Sequence, residues 1–333
     1  MTKTPMLSIV VPCYNEESCL VELHDRLAAA ARLVAPDDYE IILVNDGSND
    51  SSWSMMLDLT KTDKRLTAIN LSRNHGHQMA LTAGLDLCRG DLILVVDADL
   101  QDPPELVEPM LATMKAEEAD VVYGVRYSRE GETLFKKWTA ATFYRILANA
   151  SDTAIPLDTG DFRLMTRRAL SVFLAMPEQS RFVRGMVAWA GFRQVPYRYE
   201  RAERYAGGSK YPLSKMVSFA LDALTGFSSA PLKLASHATL WLTGGTIALM
   251  IYIIFGWLSG QAIQGWTSLM LVVVMLGAIQ MFVLSMIGEY LGRLYSQAKQ
   301  RPLYIVQDVV GGAVSEARLG LNVAQPRSDP ERA

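Results

Sequence analysis

The chain has 333 residues, half of them hydrophobic, and a formal net charge of −3. That length accommodates one large soluble domain plus further segments. The near-neutral balance supplies no global basic field, so nucleic acid is not an expected partner. Cys13, Cys19 and Cys88 have neither CxxC spacing nor an even-numbered framework, and are read as reduced thiols of a cytosolic compartment.

The first residues lead straight into a β-rich run, so no signal peptide is expected. Through residue 125, short apolar runs alternate with helical stretches. Strands are expected over residues 7–12, 39–45, 66–71, 92–97 and 121–125, and helices over 17–35, 51–64, 78–88 and 104–118. Near-continuous apolar strands such as residues 92–96 (LILVV) suit a sheet covered on both faces. The alternation implies right-handed βαβ units and a mostly parallel α/β sheet. Ligands of such sheets bind beyond the carboxyl ends of the strands. The polar residues gather there: Asn15 and Glu16, the run 46–48 (DGS), Asp99 and Arg126.

Residues 127–200 are less regular. A helix is expected over 134–150, a loop over 158–161 ahead of residues 162–165, and a closing strand over 194–199. Residues 213–224 carry the i, i+3, i+4 apolar stripe of an amphipathic helix. Between residues 193 and 233 seven Lys/Arg stand against three Asp/Glu, which fits a helix lying at a membrane interface; the competing reading is a helix packed on the soluble domain. Residues 238–288 contain no charged side chain. Within them 240–258 and 269–287 each approach the ~20 residues that cross a hydrocarbon core. Lys233 precedes this hairpin, and Arg293, Lys299 and Arg301 follow it. Basic flanks around an uncharged turn predict two spans with both termini cytoplasmic. The resulting division is a catalytic domain over 1–210, juxtamembrane helices over 211–237, two membrane helices over 238–288 and a cytoplasmic tail over 289–333, polar and loose after about residue 311.

Asp97 and Asp99 are alternate residues at the end of the fourth expected strand and share a face if the strand runs through them. Two such carboxylates repel unless a cation lies between them. Mg²⁺ or Mn²⁺ suits oxygen ligands and bridges to substrate phosphates. The competing reading is two solvated loop acids. No G-x-G-x-x-G turn follows the first strand and no P-loop is present, which argues against a dehydrogenase or a nucleoside-triphosphate motor. Arg126 and Arg129 after the fifth strand, and Arg201 and Arg204 ahead of Ser209 and Lys210, are candidate phosphate ligands; ordinary positive-inside charge is the alternative. His75 and His77 lack a third zinc-type ligand and are assigned as structural or lining residues, with residues 78–84 as scaffold.

The ordered motifs VPCYNE (11–16), NDGSxD (45–50), NxG (74–76), DxDLQDPP (97–104) and GDFR (160–163) resemble family 2 glycosyltransferases of the GT-A fold. Arg204 followed by GGSKY (207–211) and the two apolar segments resemble the polyprenyl-phosphate branch, which includes bacterial bactoprenol glucosyltransferases and dolichyl-phosphate mannose synthases. The resemblance implies inverting transfer of one sugar, UDP-glucose being the expected donor, to undecaprenyl phosphate at the inner membrane. Transfer of a formamido-arabinose to the same lipid is the alternative. It further implies that Pro12, Tyr14, Glu16, Asp46 and Asp97 hold the nucleotide-sugar. Asp97, Asp99 and Gln101 would ligate Mg²⁺ or Mn²⁺, and Arg126, Lys137, Arg201, Arg204, Ser209 and Lys210 would grip the acceptor phosphate. Asp99, Asp161 and Arg126 are the implied catalytic residues. A flippase is the implied partner, and glycines at 244–245, 288 and 292 leave a homo-oligomer open. The chain departs from the pattern at Asn45, where many relatives carry a second Asp. A Q-x-x-R-W motif is absent, which argues against a processive polysaccharide synthase. A non-catalytic nucleotide-sugar-binding membrane module is the remaining rival.

Overall fold

The protein is described from a computed structural model. It describes residues 5–126, 159–179, 181–200 and 265–312, with isolated helical positions at Trp241, Gly244, Gly245, Ile247, Ala248, Ile251 and Phe255. The expected helices over 134–150 and 213–224 lie outside the described residues. The described residues fall into two compact units. One lies within Met1–Ala141, Thr153–Tyr211 and Arg301–Ala333, and the other within Thr142–Asp152 and Pro212–Gln300.

The first unit opens with β1 (Leu7–Cys13), α1 (Leu20–Val34), β2 (Tyr39–Asn45), α2 (Ser52–Thr62), β3 (Leu66–Leu71), α3 (His77–Leu87) and β4 (Leu92–Val95). It continues through a 3₁₀ turn (Pro104–Leu106), α4 (Val107–Ala116), β5 (Val121–Arg126), β6 (Thr159–Thr166), α5 (Arg167–Ala175), α6 (Val183–Trp189) and β7 (Gln194–Tyr199). After α7 (Trp266–Ala298), which belongs to the second unit, the chain adds β8 (Val306–Gly311) to the first. The eight strands are ordered β7-β5-β6-β4-β1-β2-β3-β8. The central β4, β1, β2 and β3 run parallel, while β6 and β8 are antiparallel to their neighbours β4 and β3.

Every residue of β1 and β2 is buried, the consequence of covering both faces of a parallel sheet. On one face Leu7, Ile9 and Val11 meet Leu20, Leu23 and Leu27 of α1 within the main core. On the other, α3 comes so close that a Cβ on Gly84 would stand 2.4 Å from Val10 Cγ1 and 3.0 Å from Val44 Cγ2.

Three differences from the sequence reading matter. First, β4 ends at Val95 rather than at residue 97, and Leu100 takes φ +57°. Asp97 and Asp99 therefore occupy a turn, and strand alternation is not what orients them. Second, the expected loop before residue 162 is already strand from Thr159, so Asp161 is held in β6. Third, β8 lies where a tail was expected. It is anchored by the buried Tyr304, whose hydroxyl donates to Asp86 Oδ2 at 2.8 Å. A short edge strand so far along the chain from its partner leaves little local signal.

In the second unit, α7 contains Met275–Ala298, which is long and apolar enough to cross a membrane. Its large side chains, among them Val273, Met281, Leu284 and Leu291, are exposed. It is one continuous helix of 33 residues, running well past the expected end at 287. At ~1.5 Å per residue it exceeds the ~30 Å core, and its polar end carries an ion pair between Glu289 and Arg293 at 2.9 Å. Among the described residues one such helix is found; most of the first expected span lies outside them.

Because α3 has no room for another carbon at Gly84, Gly84→Ala should cost about 1–2 kcal/mol, overpacking outweighing the gain in helix propensity. Thermal unfolding checks this; a melting temperature at or above the parent's would mean that α3 can ride off the sheet freely.

Candidate active site

The carboxyl edge of the sheet gathers the polar residues because each parallel strand releases its loop there. β6 reaches the same edge from the opposite direction. Its antiparallel register pairs Val95 of β4 with Arg163, and just beyond that pair His77 Nε2 lies 3.5 Å from Asp97 and 3.2 Å from Asp161.

Asp161 is the centre of a buried charge cluster. Its Oδ2 accepts from Gln78 Nε2 at 2.8 Å and from His77 Nε2 at 3.2 Å. Its Oδ1 lies 3.2 Å from Arg184 Nε and 3.7 Å from Arg163, an ionic contact without hydrogen-bond alignment at Arg184 Nε. Gln78 is itself held by the Val183 N–H, which donates to its Oε1. The guanidinium of Arg163 is buried and donates to the backbone carbonyls of Asp161 and Gly160. Burial alone would raise the pKa of Asp161. The hydrogen bond from His77 and the charges of Arg184, His77 and Arg163 outweigh burial and hold its carboxyl well below the usual range. Burial likewise disfavours a charged His77, yet Asp161 and Asp97 push its pKa up to about 9. Burial draws Arg163 down to about 10 against the pull of Asp161.

Asp97 has the opposite balance. Burial, together with the charges of Asp161, Asp102 and Asp99, lifts it to about 6 against the pull of His77. Its Oδ1 is buried, lies 3.5 Å from His77 Nε2 and makes no hydrogen bond. An orphaned acceptor among like charges is what a cation would satisfy. No group of three or more His, Cys, Asp or Glu forms a metal cage among the described residues. Asp97 and Asp99 thus fit an ion that takes its remaining ligands from phosphate oxygens and water, the common habit of Mg²⁺.

Beside this cluster the loops after β1, β2 and β3 enclose a cleft of about 450 Å³, lined by Tyr14, Trp53, Asn45, Asn70 and Arg73 among others. The loops are braced by side chains. Asp46 accepts the backbone N–H groups of His75 (2.7 Å) and Gly76 (3.0 Å). Gly47 has φ +65°, and a Cβ there would meet the backbone of Arg73 and Asn74 at 2.5 Å; only glycine suits this turn. The hydroxyls of Ser48 and Ser52 accept the N–H groups of Asn15 and Glu16, both at 2.9 Å. Beyond the acidic turn, fully buried Asp102 accepts the hydroxyl of Tyr199, tying that turn to β7.

The residues implied by sequence resemblance are distributed as follows. Tyr14 lines the cleft and is exposed. Pro12 is buried in β1. Glu16 receives the Cys19 thiol at 3.4 Å. Both oxygens of Asp46 are engaged by backbone. Asp99 Oδ1 accepts the Gln101 N–H at 3.2 Å, and Gln101 is half-buried. Arg126 closes β5. Lys137, Arg201, Arg204, Ser209 and Lys210 lie outside the described residues. Sequence reasoning missed His77, Gln78 and Arg184 as partners of Asp161. The available signal was two adjacent polar residues, His77 and Gln78, opening a mostly apolar α3; nothing in the pattern pointed to Arg184.

Residues 8–174 match the family model described as Glycosyl transferase family 2. The chain is 46% identical over 312 residues to an uncharacterized glycosyltransferase of Bacillus subtilis (strain 168), covering 93% of this chain and 96% of that one. It is 34% identical over 310 residues to the prophage bactoprenol glucosyl transferase homolog of Escherichia coli (strain K12), covering 91% and 99%. To the bactoprenol glucosyl transferase of Shigella phage SfV it is 33% identical over 303 residues, covering 91% and 98%.

Asp161→Asn removes the charge that compensates Arg163 and Arg184 and should cost about 3–5 kcal/mol. The folded pKa of Asp161 is lowered, so its contribution is complete above the unfolded value of about 4 and is lost as pH falls through the lower folded value. Urea midpoints measured against pH should therefore show a shallower acid limb in Asp161→Asn; parallel limbs would remove Asp161 from this role.

Proposed function

The chain belongs to glycosyl transferase family 2, and we propose that it moves a single sugar, with inversion, from a nucleotide-sugar to a polyprenyl phosphate. UDP-glucose and undecaprenyl phosphate are the proposed substrates. The observation that carries this reading is the end-to-end similarity to two bactoprenol glucosyl transferase relatives. The exposed apolar α7 on the same polypeptide as the acidic turn agrees with it.

In this proposal the nucleotide occupies the cleft beside Tyr14, with Pro12, Glu16 and Asp46 shaping its walls. Its diphosphate extends toward Asp97 and Asp99. A phosphate oxygen of the lipid forms a bond to the anomeric carbon as the bond to the diphosphate breaks, and a nucleoside diphosphate leaves. The attacking phosphate is already anionic, so no strong base is required. Asp161, surrounded by donors, acts as a positioning residue that holds His77, Arg163 and Arg184 in place. His77, as an imidazolium beside Asp97, offsets the acidic charge of the turn. Mg²⁺ or Mn²⁺ held by Asp97, Asp99 and Gln101 would, when bound, neutralise charge on the departing diphosphate. Arg126, Lys137, Arg201, Arg204, Ser209 and Lys210 are the proposed acceptor-phosphate ligands.

The proposed placement is a two-span inner-membrane protein with both termini cytoplasmic and the catalytic domain over residues 1–210. A homo-oligomer is part of the same proposal, and a flippase partner would carry the product across.

Purified protein in detergent, offered undecaprenyl phosphate, Mg²⁺ or Mn²⁺ and separate UDP- and GDP-sugars, should yield one glycosylated lipid monophosphate by mass spectrometry. Asp99→Ala should reduce turnover by about 100-fold or more; near-parental turnover would sink the metal assignment. Binding of a nucleotide-sugar with no lipid product from any donor would favour a non-catalytic module.

A further inference from the structure

The strand that follows the apolar helix is wired into the cleft. Asp308 of β8 pairs with Asn70 of β3, and Asn70 pairs with Asn45 of β2. Their side chains form a ladder across three strands. Asn70 Nδ2 donates to Asp308 Oδ2 at 3.1 Å, and Asn45 Nδ2 donates to Asn70 Oδ1 at 2.8 Å. The ladder ends where the Ser48 N–H donates to Asn45 Oδ1 at 3.2 Å.

The two ends have different chemistry. A carboxylate only accepts and a backbone N–H only donates, whereas a carboxamide can be turned either way. Here both ends demand the same direction. The NH₂ of each amide faces β8 and each carbonyl faces the loop after β2. Asn45 and Asn70 both line the cleft, Asn45 buried at its floor and Asn70 half-buried, and each carboxamide has a second N–H and a second lone pair. An acid in place of Asn45 could not donate to Asn70, so the direction of the ladder needs the amide of Asn45 as well as the acid of Asp308.

We propose that Asp308 is a specificity-determining positioning residue, setting the hydrogen-bond polarity that Asn45 and Asn70 present to the donor's nucleobase. This rests on the cleft being the nucleotide site. The order of donors and acceptors distinguishes bases: along its pairing edge uracil offers acceptor, donor, acceptor, and guanine acceptor, donor, donor. A ladder of fixed polarity discriminates between them, and one of reversed polarity discriminates differently. The groups that touch the base come from β2 and β3, while the group that aims them arrives from beyond α7.

The experiment measures UDP and GDP binding by calorimetry on the full chain in detergent, without lipid, alongside thermal unfolding. Asn45→Asp puts a carboxylate on each side of Asn70, so UDP affinity should fall about tenfold and the melting temperature should drop. Adding Asp308→Asn rebuilds an unbroken ladder that runs the other way. The double variant should regain its melting temperature while its UDP-to-GDP affinity ratio stays shifted by about tenfold. Return of both quantities to parental values would make the ladder a structural brace and overturn the proposal. Asp308→Ala acts at an exposed position and removes the anchor without burying a charge. It should move the ratio several-fold with little loss of stability; an unchanged ratio overturns the proposal independently. A parent that binds neither nucleotide would instead sink the nucleotide reading of the cleft.

Discussion

The carboxylate of Asp161 cannot stay charged inside the protein without compensation, and much of the site is the form that compensation takes. A desolvated acid of this kind draws in whatever cations and donors the fold can bring. Here they come from the first turn of α3, from α6 and from its own strand. Four side chains on three elements are thereby fixed relative to one another and to Asp97. The cluster depends on β6 running antiparallel to its neighbours β4 and β5. Only a strand arriving from the opposite direction could start, rather than end, beside β4's carboxyl edge.

The uneven treatment of the two acids gives the edge its chemistry. Asp161 is saturated with donors and is held charged. Asp97 has one buried oxygen with no hydrogen bond and is pushed toward the neutral form. Neighbouring carboxylates driven apart in this way mark sites that do work on charge. The saturated acid organises its surroundings, and the unsatisfied one is left to meet a ligand. The glycine turn after β2 and the serine braces between the β1 and β2 loops serve a different need. They hold open a cleft walled by these loops and by the carboxyl ends of β2 and β3.

Much of this architecture was legible in order along the chain. Residues 7–12, 39–45 and 66–71 read as strands because each is a short, mostly apolar, β-rich run, and the structure holds them as strands with all but Asn70 buried. The acidic turn was found because Asp97 and Asp99 follow an apolar run. Its shape was not, because Leu100 adopts a left-handed conformation that leucine does not signal. β8 was invisible because its partner is more than two hundred residues away, and a short edge strand is defined by that partner. Likewise, Gln78 looked like scaffold because helix periodicity says nothing about what stands opposite a first turn.

What the sequence by itself determined, then, is what local pattern encodes: alternating buried strands and amphipathic helices, a charge-free apolar segment, and a series of motifs that identifies the family. What only the tertiary structure decided is which polar groups meet. Arg184 reaches Asp161, Tyr199 reaches Asp102 and Asp308 reaches Asn70 across gaps in the chain that no spacing rule spans. The physical reason is that burial and hydrogen-bond direction are set by neighbours in space. A carboxylate becomes a buried anchor, an orphaned ligand or a polarity-setting end group according to the donors that the folded sheet brings within about 3 Å.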